Sequence, residues 1–135
     1  MCKIVFFSDA HTSLRQLSSK AMPEKSAGKF VQLRTASGEY LIFALQHVSR
    51  YHADIIERFC NERGIPGIYR DTEKRFEILD DDWSVIGGGK FMIDTKRRHI
   101  RLFDNSMAYG KFDGNGMKKK ILADGQFPGY NVLIK

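Results

Sequence analysis

A chain of 135 residues, 42% hydrophobic with charges of both signs, is one domain's worth and can close a core without staples; disordered, collagenous and repetitive classes are excluded. The formal charge of +6 and pI near 9.4 favour anionic partners, with phosphate esters, phosphoproteins and nucleic acid all admissible. No apolar run approaches the roughly 20 residues that span a bilayer, and Met1–Asp9 is too briefly apolar for a signal sequence, so a soluble cytoplasmic protein is expected, with no membrane partner.

Lys3–Phe7 reads as a short strand, His11–Met22 as a weak helix before Pro23, and Glu24–Gly28 as a surface loop. Lys29–Arg34 and Glu39–Leu45 pair as strands about the turn Ala36-Ser37-Gly38. The second is nearly all apolar, which places it centrally in a sheet. Cys2 and Cys60 lack metal-ligand spacing and read as reduced thiols, Cys60 as a small core residue.

The next stretch, Ser49-Arg50-Tyr51-His52-Ala53-Asp54, reads as a helix start with Ser49 as N-cap and Gly64 as the stop, which puts His52 at the third helical position. Val48, Tyr51, Ile55, Phe59 and Cys60 recur at helical spacing, and His52 falls at the wet edge of that face. A helix start attracts an anion and resists protonation of a nearby imidazole. A neutral imidazole beside a bound anion is what general-base chemistry at neutral pH requires; the plainer reading is a rim histidine that only hydrogen-bonds the fold.

Ile65-Pro66-Gly67 is a break, followed by strand fragments at Ile68–Tyr69 and Arg75–Leu79. Asp80-Asp81-Asp82 lacks the alternate spacing of a cation cage and reads as a solvated turn, so no metal or cofactor is expected. Gly87-Gly88-Gly89, between Trp83–Ile86 and the strand Lys90–Ile93, permits close backbone approach or a bend, and matches neither a dinucleotide fingerprint nor a P-loop. A hairpin turn at Asp94–Arg98 leads to a strand at His99–Phe103. The loop Asp104–Gly110 can then cup an anion with its amides. Asp113 or Asn115 caps a second helix through Met117, Ile121 and Leu122, and Tyr130–Ile134 closes as a strand. The basic clusters Lys96-Arg97-Arg98 and Lys118-Lys119-Lys120 read as solvated faces, and with no interleaved aromatic-basic motif nucleic acid is not the expected partner.

Three segments together, Tyr51-His52-Ala53-Asp54-Ile55, Gly87-Gly88-Gly89-Lys90 and Ser106-Met107-Ala108-Tyr109-Gly110, with a fainter echo at Phe127–Val132, resemble the phosphohistidine phosphatase (Janus/Ocnus) family over about Lys29–Lys135. The resemblance implies one α/β domain over 1–135, a family-like core at 29–135 with 1–28 as an extension, and a mixed sheet sandwiched between two main helices. It also implies metal-independent hydrolysis of phosphohistidine in proteins, or of a small phosphoramidate, by a monomer that releases inorganic phosphate. His52 stands at the position of the general base, Ser106 and the amide of Ala108 in the phosphate loop, and Lys90 where the family carries a basic residue; Tyr51 and Arg50 are expected to join them in binding the phosphate. Two departures accompany it: Glu39 where the family has a lysine leading the central strand, and no upstream arginine, with Arg50 and His47 as the nearest substitutes. The alternative is a noncatalytic module of the same fold that binds phosphate or phosphoprotein.

Overall fold

The computed structural model describes residues 2–7, 24–48 and 51–135. Along the chain come β1 (Cys2–Phe7), β2 (Lys25–Thr35), β3 (Gly38–Leu45), α1 (His52–Arg63), β4 (Gly67–Arg70), β5 (Arg75–Ile78), β6 (Trp83–Asp94), β7 (His99–Phe103), α2 (Met117–Ala123) and β8 (Asn131–Ile134). The helix expected over His11–Met22 lies outside the described residues. Six strands form one mixed sheet in the order β1-β3-β2-β6-β7-β8, parallel at its two outer pairs and antiparallel within, while β4 and β5 make a separate ribbon.

Successive strand side chains point to opposite faces, and the core divides accordingly. Val31, Leu33, Ile42 and Ala44 cluster with Ala53, Ile55, Ile56, Phe59 and Cys60 of α1. Phe30, Leu41, Phe43 and Phe91 cluster with Met117 and Ile121 of α2. Both cysteines are free and buried, and burial pushes their thiols up, to about 12 for Cys2 and about 11 for Cys60. Among the described residues no helix is long and apolar enough to cross a membrane.

Four local expectations change. Lys25–Gly28 is strand and not loop, because β2 pairs with β6 as far back as Lys25 opposite Asp94. The glycines make no bend: β6 runs unbroken through them, with an irregularity where Gln32 faces Gly87 but Leu33 faces Val85, leaving Ile86 as an extra residue. Helix α1 starts at His52, with Tyr51 and not Ser49 as its N-cap. Tyr51 is extended, and the Asp54 carboxylate accepts its backbone N–H at 3.2 Å. His52 is therefore the first helical residue. Helix α2 is capped by Gly116 in the left-handed region, since the Asp113 carboxylate is already accepting the Asn115 amide at 3.0 Å.

Glu39 does not stand at the histidine side of the sheet. It is 5% exposed on the α2 face, 2.7 Å from Arg34 and 3.2 Å from Lys120, which tie β2, β3 and α2 together. Burial works to raise its carboxyl, but hydrogen bonds from Arg34, Lys120 and Gln32 prevail and hold it below the ordinary 4.5. A depressed carboxyl stabilises the fold fully above the unfolded value, and that contribution is lost as pH falls through the folded one. Glu39→Ala is expected to lower unfolding free energy by about 1–2 kcal/mol at neutral pH, the worth of charge-assisted hydrogen bonds whose cations, 41% and 38% exposed, can turn to water once the carboxylate is gone. Urea unfolding at several pH values checks this, the gap between variant and parent narrowing below pH about 4.

Candidate functional site

The site is built on a close approach between the first turn of α1 and the glycines of β6. His52 is 8% exposed, deeper than the rim position its helical spacing predicts. Its ring lies against Gly88, where an added Cβ would come within 2.7 Å of His52 Cδ2 and 2.7 Å of the Phe30 carbonyl oxygen. Real Cβ atoms do not approach that closely, so only glycine admits the imidazole here. The neighbouring glycines are crowded by other groups: a Cβ on Gly87 would meet the Lys111 carbonyl at 2.3 Å, and one on Gly89 the Phe112 ring at 3.0 Å. The glycine run is a seat for side chains and backbone, and not a phosphate loop.

Nε2 of His52 lies 2.9 Å from the Gly89 carbonyl oxygen. A carbonyl only accepts, so Nε2 carries the proton and Nδ1 is left with its lone pair. Burial, and secondarily Lys29 and Lys90, hold the imidazole below its ordinary 6.5 against the opposing pull of the Gly89 bond and Asp104. It is thus neutral at pH 7, for reasons of burial and nearby lysines; the helix start is already served by the Asp54 carboxylate, which also accepts from the Tyr69 hydroxyl at 3.3 Å.

Beside the ring, Lys29 of β2 stands directly opposite Lys90 of β6, on the face that Gly88 turns to His52. The Lys90 ammonium is 3.2 Å from the Asp104 carboxylate, which that bond first, and the Asn105 amide second, hold below the ordinary 3.8. Lys111 donates to the Asp104 carbonyl at 3.1 Å. Lys29 forms no ion pair among the described residues.

The loop after β7 is stitched to the same place. Ser106 and Gly110 exchange backbone hydrogen bonds at 3.0 and 2.8 Å, and Gly88 donates to the Gly110 carbonyl at 3.1 Å. Gly88 therefore carries the imidazole on its face and the serine loop at its edge. Ser106 is 3% exposed, and its hydroxyl oxygen accepts the Tyr109 amide at 3.1 Å, leaving its own proton to give. The Tyr109 hydroxyl is bracketed by β5, accepting from the Phe76 amide at 2.6 Å and donating to the Phe76 carbonyl at 2.9 Å. Arg75 donates to the Ala108 carbonyl and lies 4.8 Å from the Tyr109 ring. Among the described residues, the Met107 and Ala108 amides find no protein acceptor, and Met107 projects fully into solvent.

His52, Lys90, Ser106 and Ala108 are thus gathered about one strand. Tyr51 sits at the exposed helix start with Lys74 5.7 Å from its ring, and its backbone N–H is committed to Asp54. Arg50 lies outside the described residues, and His47 is an exposed turn residue. Lys29, Asp104 and Arg75 are absent from the expected set. Only the pairing of β2 with β6 brings Lys29 here, and hairpin spacing alone does not carry that register.

The sequence model of the Janus/Ocnus family matches residues 22–131. The chain is also similar to the sex-regulated protein janus-B of Drosophila pseudoobscura pseudoobscura, 23% identical over 106 residues that cover 78% of this chain and 76% of that protein.

A direct check on the site is the titration of His52. Long-range proton–nitrogen NMR is expected to show the Nε2–H tautomer at pH 7 and a midpoint below 6.5. Because the folded-state value is depressed, the histidine's contribution to stability is complete above 6.5 and declines as pH falls toward the folded midpoint. A midpoint at or above 6.5 would contradict the buried, lysine-flanked ring.

Proposed function

This chain belongs to the Janus/Ocnus family, and we propose that it is a phosphohistidine phosphatase in which His52 activates water without a metal ion. The observation that carries this reading is the bond from Nε2 to the Gly89 carbonyl. It orients the ring and leaves the Nδ1 lone pair unprotonated in a group that is neutral at pH 7.

Phosphoryl transfer asks little covalent work of a protein: the oxygens must be neutralised and the nucleophile held in line. Lys29 and Lys90 supply charge, while the Ser106 hydroxyl and the amides of Met107 and Ala108, which find no acceptor among the described residues, supply donors. Nδ1 of His52 removes a proton from the attacking water as its oxygen bonds to phosphorus. The N–P bond breaks with its electron pair returning to the substrate's imidazole, which departs neutral when its other ring nitrogen keeps its proton, or, where that nitrogen carries none, when the released nitrogen gains one. Inorganic phosphate is the second product. The phosphoramidate bond is labile when its nitrogen is protonated, so modest assistance suffices.

The upstream arginine and the lysine of the central strand both bear on charge at the phosphate. The face occupied by Lys29 of β2 supports that residue, and not Glu39 of β3, as a cation for the site; Arg75 supports the loop from its carbonyl side.

His52→Ala is expected to cut phosphate release from phosphohistidine by about 10²-fold or more, the usual worth of a positioned base. Lys29→Met should act mainly through KM, and the acid limb of kcat/KM should fall below 6.5, where His52 takes up a proton. Colorimetric phosphate release with circular dichroism as a folding control measures all three. Undiminished turnover by folded His52→Ala removes the reading, and phosphate binding by wild type with no turnover replaces it with a noncatalytic module.

A further inference from the structure

Among the described residues, helix α1 and the ribbon β4–β5 cover only part of the sheet face that carries His52. Past the row formed by Lys29, Lys90 and Phe103, the same face continues with Ala27, Met92, Arg101 and Leu133 side by side on β2, β6, β7 and β8, and beyond them Lys25, Asp94 and His99. Met92 and Leu133 are 50% and 49% exposed, and the Arg101 guanidinium lies 4.9 Å from the Phe103 ring. A groove of about 500 Å³ opens there, lined by Lys25, Met92, Asp94, Arg97, His99 and Arg101.

We propose that this groove docks an acidic segment of the phosphoprotein, so that Asp or Glu side chains two to four residues from the phosphohistidine rest on Lys25, Arg97 and Arg101. The proposal rests on the phosphatase reading of the adjoining site. Charge complementarity selects the occupant: three permanent cations and His99 face one carboxylate, Asp94, which is engaged with the Arg97 amide at 3.0 Å. Spacing sets the position of the acids. Alternate residues of a strand stand about 7 Å apart, so one row beyond Lys29 and Lys90 corresponds to two residues of an extended peptide and two rows to four.

The composition of the face favours protein over nucleic acid. Met92, Leu133 and Ala27 give apolar area between the cations, as protein contacts use, whereas Phe103 is covered by Arg101 and offers no open stacking platform.

The test uses a fluorescent, unphosphorylated peptide with glutamates at those offsets, its lysine-substituted counterpart, and an oligonucleotide of equal length, with binding read by anisotropy. Wild type and His52→Ala should bind the acidic peptide alike and the lysine peptide not at all. The double variant Lys25→Glu with Arg101→Glu should lose on the order of tenfold in affinity, and Met92→Asp should weaken binding without reversing a cation. In turnover, the double variant should raise KM for an acid-flanked phosphohistidine peptide by the same factor with kcat unchanged, and hydrolyse the free phosphoramidate ion as wild type does. Equal peptide binding by wild type and the double variant overturns the proposal. So does tighter binding of the oligonucleotide, or a dimer in light scattering that Met92→Asp dissolves. Selective peptide binding by a wild type that releases no phosphate sinks the phosphatase reading and leaves the docking groove standing.

Discussion

The site depends on one intimate contact, the Cδ2–Nε2 edge of an imidazole set against a strand that has no side chain to keep it off. Gly88 removes the Cβ that would collide with His52, and the next carbonyl along, Gly89, takes the Nε2 proton. Orientation and tautomer follow from that seat, and the burial it imposes, with Lys29 and Lys90 nearby, lowers the ring's basicity. The same residue then offers its amide to Gly110, so the serine loop is located relative to the ring through a single peptide unit and not through a flexible chain of side chains. Short routes of this kind fix two groups relative to each other more tightly than a chain of flexible side chains would.

The two faces of the sheet divide the labour. On one, the buried Glu39 carboxylate is held between the half-exposed Arg34 and Lys120, a charged knot that joins β2 and β3 to α2. On the other, Lys29 and Lys90 stand in register beside His52, with Asp104 moderating one of them. A charge that looks anomalous in a linear comparison, Glu39, is thus structural, while the paired lysines beside His52 belong to β2 and β6 and to the opposite face.

Much of this was legible in the residues. The apolar run of β3, the helical spacing through Ile55, Phe59 and Cys60, the Gly64 stop and the order of the later strands follow from short-range periodicity. The three motif segments name the family. What short-range patterns do not carry is register between distant strands, and so Lys29 opposite Lys90, the reach of β2 back to Lys25 and the unbroken course of β6 came only with the fold. The helix start slipped by a few residues because Ser49 is a better cap by residue type, whereas Asp54 closes onto Tyr51. The ring of His52 proved deeper than its helical position suggests, since the depth comes from glycines far along the chain.

Ile86, the unmatched residue where β2 and β6 fall out of step, has an outsize effect. Trp83 and Val85 face α1, and by simple alternation Gly87 and Gly89 would too; the extra residue inverts the phase, so that Gly88 and Lys90 are the ones turned toward the histidine while Gly87 and Gly89 back onto Phe112. Parity, in other words, decides which side of the sheet the lysine serves. A strand keyed in this way tolerates substitution far better than it tolerates a change of length, because losing one residue would send its whole downstream half to the wrong compartment of the core.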